Sequence, residues 1–190
     1  MPGGVALTEA GTELAIGEPA SAIFTAGPNR VSTIELTVTR VAKGSMERDF
    51  TNFGLTDQQR IQEPYYVTVK VTNTGPAAVG GASLPVRALD STDTFFPPTS
   101  LVGNLPVCQG TPLPKPFETG DSLTTCLLFI AEPDTTVTEI QLRPYAGFDP
   151  VSWVLPESVE LAAERRERAE QREQERDDKP REPRRPRDRD

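Results

Sequence analysis

The chain reads as an all-β sandwich of six to eight antiparallel strands followed by a charged C-terminal tail. Two long segments alternate apolar and polar residues with period two, and clusters of Pro, Gly, Asn and Asp separate the apolar runs. In addition, 19 prolines are spread through 190 residues, which makes long helices untenable before residue 157. Short strands joined by such turns build two-sheet folds.

In Ile34-Glu35-Leu36-Thr37-Val38-Thr39, alternation places Ile34, Leu36 and Val38 on one face of a half-buried strand. Tyr65, Val67, Val69 and Val71 do the same against Tyr66, Thr68, Lys70 and Thr72, and Asn73-Thr74-Gly75-Pro76 ends that strand in a turn. Weaker patterns predict strands at Ala22–Thr25, Leu84–Leu89, Leu123–Ile130, Val137–Leu142 and Val151–Leu155. Leu123–Ile130 is apolar on both faces, which predicts a strand in the middle of a sheet. The alternative is an edge strand covered by the proline-rich loop.

Two long connections stand out. Gly44–Pro64 contains Asp57-Gln58-Gln59-Arg60, a candidate helical turn, and Pro97–Asp121 is rich in proline. Loops of that length are more often functional or tied down than idle. Cys108 lies in the second loop and Cys126 in the following strand, a spacing unlike that of zinc ribbons or redox CxxC sites. Bridged, they fix the loop to the sheet, restrict the unfolded chain by about 3 kcal/mol, and imply an oxidising compartment. The alternative is two independent, reduced thiols.

From Glu157 onward the chain has few apolar residues, so one domain is expected over 21–156, after a flexible segment at 1–20. Residues 157–178 read as a charged helical extension, in which Glu164 and Arg168 form an i,i+4 pair, and 179–190 as a disordered tail. The formal charge of −8 sits mostly on the first 156 residues. An acidic domain repels phosphate backbones, so a nucleic-acid partner is not expected. The longest apolar run, Cys126–Ala131, is far too short to span a bilayer, so no transmembrane segment is expected either. The opening Met-Pro-Gly-Gly-Val-Ala has no basic, apolar leader pattern. Either the protein stays inside the cell or its signal has been removed.

The run Tyr65-Tyr66-Val67-Thr68-Val69-Lys70-Val71-Thr72-Asn73-Thr74-Gly75, then Cys108, then Phe117-Glu118-Thr119-Gly120-Asp121 and Cys126-Leu127-Leu128-Phe129, resembles secreted actinobacterial sandwich proteins. These are similar to the mycobacterial immunoprotective extracellular protein and its relatives of unknown function. The resemblance runs over roughly Ala22–Leu155. It implies an immunoglobulin-like β-sandwich, exported to the cell envelope or outside the cell and often lipid-anchored, with matching cysteines and no assigned catalytic residue. The Arg/Glu-rich tail departs from that pattern.

With no histidine in the chain, Ser-His-Asp and Cys-His catalysis and the commonest metal ligand are excluded. Neither a phosphate-binding GxxxxGK loop nor a GxSxG elbow occurs, and no cofactor or metal is expected. Asp90, Asp93 and Asp121 lie at loop ends without EF-hand spacing. Loop aromatics are the functional lead: Phe95, Phe96, Tyr145 and Phe148 form a candidate contact surface if exposed, and otherwise tuck over the open ends of the core. Trp153 alternates with Val151 and Leu155 as a core residue, and Tyr66 reads as a lone exposed ring. The preferred function is an exported, non-catalytic binding module for a protein or cell-envelope partner, of undetermined oligomeric state. The alternative is a small-ligand carrier or a carboxylate-dependent hydrolase, which needs a pocket with two converging acidic groups.

Overall fold

The computed structural model describes residues 6–156. The tail segments 157–178 and 179–190 lie outside the described residues. Nine strands form two sheets: β1 (Glu13–Leu14), β2 (Pro19–Gly27), β3 (Arg30–Lys43), β4 (Glu63–Asn73), β5 (Val86–Asp90), β6 (Phe95–Phe96), β7 (Ser122–Ala131), β8 (Val137–Leu142) and β9 (Val151–Val154). One sheet has the order β1-β9-β8-β5-β6 and the other β2-β3-β4-β7.

The alternating residues of the sequence supply the inner faces. Leu36, Val38, Tyr65, Val67 and Val69 from one sheet share a buried cluster with Ala88, Ile140, Leu142, Val151 and Trp153 from the other. Trp153 is fully buried, and its indole Nε1–H donates to the Glu18 carbonyl at 2.8 Å, so its one polar atom is satisfied. A second cluster, including Phe24, Ile34, Val71, Leu113 and Phe117, joins the sheet to the proline-rich segment. Gly80 belongs to that closure, because a Cβ there would collide with the backbone of Pro114 and Phe117.

Several sequence expectations need correction. β1 pairs with β9 in parallel, Leu14 opposite Trp153, so the strands are not all antiparallel. That pairing also ties down part of the 1–20 segment expected to be flexible, as does the Thr8 N–H donating to the Ser21 carbonyl. β1 and β6, two residues each and too short to show any periodicity, bring the strands among the described residues to nine where six to eight were expected. Finally, of the two readings of Leu123–Ile130 the edge strand covered by the proline-rich loop holds, and β7 is not a central strand.

The second apolar face of β7 is covered by loops. Cys126, Leu128 and Ile130 pack with Tyr66 beneath Leu101, Leu105, Cys108 and residues of the Gly44–Pro64 connection. That connection carries two single-turn helices, α1 (Met46–Asp49), which buries Met46, and α2 (Asp57–Arg60) at the anticipated place. Thr56 and Gln59 form a capping box on α2. Tyr66 is accordingly half-buried rather than exposed, its hydroxyl donating to Asp49 Oδ2 at 2.8 Å. Burial first, and the neighbouring carboxylate second, raise its phenol well above the ordinary tyrosine value. Asp49 moves the opposite way, held low by the hydrogen bond from Arg48.

Candidate binding groove

Asp90 builds the turn that positions the first candidate residues. Its Oδ1 accepts from the N–H groups of Thr92 and Thr94 and from the Thr92 hydroxyl at 2.7–3.0 Å, while Asp93 takes the left-handed conformation at φ 61°. Burial opposes ionisation of Asp90, but these donors outweigh it and its pKa is lowered. The tight reversal sets Phe95 opposite Leu89 and Phe96 opposite Ala88. Adjacent strand residues face opposite sides. Phe96 therefore packs into the core, edge-on to Phe129 with centroids 6.1 Å apart, while Phe95 remains 50% exposed.

Two arginines converge on the outward ring. The Arg143 guanidinium carbon lies 4.9 Å from the Phe95 centroid and that of Arg87 lies 5.7 Å away. Arg87 faces Gln141 in the ladder, and Gln141, only 4% exposed, accepts from Arg143 Nε at 2.9 Å while donating to Glu139 at 2.9 Å. A short polar chain thus orients Arg143. Just beyond it, Tyr145 stacks edge-on against Phe148, with centroids 5.2 Å apart. Phe148 packs against the core, and Tyr145 is 61% exposed.

The facing wall is the proline-rich segment, held on β7 by a Cys108–Cys126 disulfide with a Cα–Cα distance of 5.3 Å. Neighbouring bonds reinforce it: the Thr99 N–H donates to the Leu128 carbonyl at 2.7 Å, and the Thr111 N–H to the Thr125 hydroxyl at 2.9 Å. Between the walls runs a groove of about 1210 Å³, lined by apolar residues such as Leu84, Leu101, Leu105 and Leu127 as well as by Phe95, Arg87, Arg143 and Tyr145.

Of the four predicted contact residues, Phe95 and Tyr145 reach the groove, whereas Phe96 and Phe148 support it from the core side. Arg87 and Arg143 escape sequence reasoning because only the β5–β8 register brings them together. No described residue lining the groove is an aspartate or glutamate, so the acidic pair that a carboxylate-dependent hydrolase requires does not converge here. Of the carboxylates considered for calcium, that of Asp90 is engaged as above, and that of Asp121 accepts from the Glu118 N–H at 2.7 Å. No cluster of three or more metal-ligating side chains occurs among the described residues. Nor is any helix among them long and apolar enough to cross a membrane.

No protein-family model matches the chain, and neither a curated protein nor a solved structure is detectably similar to it.

Proposed function

We propose that this chain is an exported, non-catalytic binding module of the bacterial cell surface or medium, an immunoglobulin-like sandwich that presents its groove to a protein or envelope partner. The observation that carries the reading is the convergence of Phe95 and Tyr145 on a groove whose far wall is pinned by a disulfide. A disulfide of this kind persists in oxidising compartments. The likeness to secreted actinobacterial sandwiches rests on the Tyr65–Gly75 strand and turn, the Phe117–Asp121 run and the ordered cysteine pair. The bridge lies on the outer face of one sheet and does not cross the core between sheets as in antibody domains.

A small-ligand carrier is the second reading, favoured by the concavity and apolar walls of the groove. Compartment and thiol state test the main reading together. The native host is fractionated and the protein from each fraction is alkylated under denaturing, non-reducing conditions and weighed. Bridged protein in the envelope or medium supports export, and alkylated protein confined to the cytosol overturns it.

A further inference from the structure

We infer that the groove takes an extended acidic peptide segment of a partner protein, its carboxylates meeting Arg87 and Arg143. This rests on the binding-module reading above and names its ligand.

Charge complementarity is the first argument. Residues 1–156 carry 9 Lys/Arg against 16 Asp/Glu, yet two of those nine cations stand at a groove with no acidic residue among its described lining. Among the described residues, neither guanidinium has a carboxylate within 4.0 Å. Both are stationed against the Phe95 ring, and Arg143 spends only Nε on Gln141. Stacking occupies a guanidinium's face and leaves its in-plane N–H groups to form bidentate bonds with a carboxylate. The preorganised pair therefore favours an anionic group at this rim.

Shape argues for a peptide. The groove, at about 1210 Å³, exceeds the roughly 300–1,000 Å³ of ordinary small-molecule pockets. It lies beside β6, the outermost strand of its sheet, whereas the edge of β7 is already engaged by the loop through the Thr99 N–H on the Leu128 carbonyl. Edge strands offer main-chain groups to an extended chain, while apolar walls take its alternate side chains.

The test selects random dodecapeptides displayed on phage against the full, oxidised chain. The recovered peptides are synthesised and titrated into labelled protein while backbone amide shifts are followed by NMR. The expected result is peptides rich in Asp or Glu beside apolar residues, with shifts concentrated in residues 84–87, 97–112 and 143–147. Affinity should fall about tenfold or more in R87Q/R143Q. The same loss is expected when the peptide's acidic residues are changed to Asn or Gln, a comparison that leaves the protein's fold untouched. Peptides that map to the groove without acidic enrichment, or that bind equally well once neutralised, overturn the acidic assignment while the groove remains a contact surface. If palmitate shifts the groove amides and no selected peptide does, the peptide assignment falls in favour of a lipid-like ligand. If neither shifts them, both this inference and the groove as contact surface fail.

Discussion

The Ser32 hydroxyl donates to Asn73 Oδ1 at 2.7 Å, joining β3 to the end of β4 inside the fold. Asn73 is fully buried, and every polar valence it offers is used. Its Oδ1 also accepts from the Gly75 N–H, and its Nδ2 donates to the carbonyls of Ala77 and Phe117 at 2.9 and 3.1 Å. The side chain thus clamps the turn and the distant Phe117 segment to the sheet. Asn73→Ala should cost about 3 kcal/mol, because it strands several buried partners, whereas Ser32→Ala should cost about 1 kcal/mol. Urea denaturation of both variants checks this, and equal losses would count against Asn73 as the hub.

The Cys108–Cys126 bridge holds the loop that walls the groove. Replacing both cysteines by serine should lower stability by about 3 kcal/mol, chiefly by freeing the unfolded chain. The wild type heated in reductant should melt correspondingly earlier. Hydrogen exchange should quicken at Thr99 and Thr111, whose amides bond to β7, and stay slow along β4. Uniform acceleration would mean that the bridge supports the whole fold and not one wall.

Asp90 and Asp49 both have folded-state pKa values below the ordinary aspartate value of 3.8. The unfolded chain therefore takes up these protons first as pH falls, so acid favours unfolding. Their contribution is fully present above about pH 5 and is lost as pH falls through the unfolded value toward the lower folded one. Thermal melts between pH 7 and pH 2.5 should show a flat plateau and then a decline. In Asp90→Asn the decline should be shallower. An identical acid profile would show that the Asp90 turn bonds do not favour its charge.

Trp153 is the chain's single tryptophan and is wholly buried, with its N–H bonded to the Glu18 carbonyl. Its fluorescence should be blue-shifted in the native protein and should move red in one transition with the far-UV signal. Trp153→Phe should destabilise by about 2–3 kcal/mol, combining the lost ring volume with an orphaned carbonyl. A native emission already red-shifted would contradict the packing of β9 on the core.

Much of the fold is legible in one dimension because burial imposes a period on strands. Ile34, Leu36 and Val38, and Tyr65 through Val71, alternate in the sequence and are buried in the structure. The Asp57–Arg60 turn and the core role of Trp153 were legible too. By contrast, β1 and β6 leave no pattern, since two residues cannot display a period. Leu123–Ile130 is ambiguous for a different reason. An apolar face looks the same whether another strand's side chains or a bridged loop covers it, and here Cys108, Leu101 and Leu105 do the covering.

The candidate site divides in the same way. Phe95 and Tyr145 are visible as aromatics beside turn residues, but their separation from Phe96 and Phe148 follows from side-chain alternation at β6 and from the packing of Phe148. Arg87 and Arg143 meet because β5 and β8 pair in one register, with Val86 opposite Leu142. Residue types and spacing by themselves determine which of the longer segments are strands, which cysteines are available to bridge, and which classes of catalysis lack their residues. The tertiary structure alone decided the edge position of β7, the parallel pairing of β1 and the arginine pair at the groove. Those depend on contacts between distant segments, for which local periodicity carries no signal.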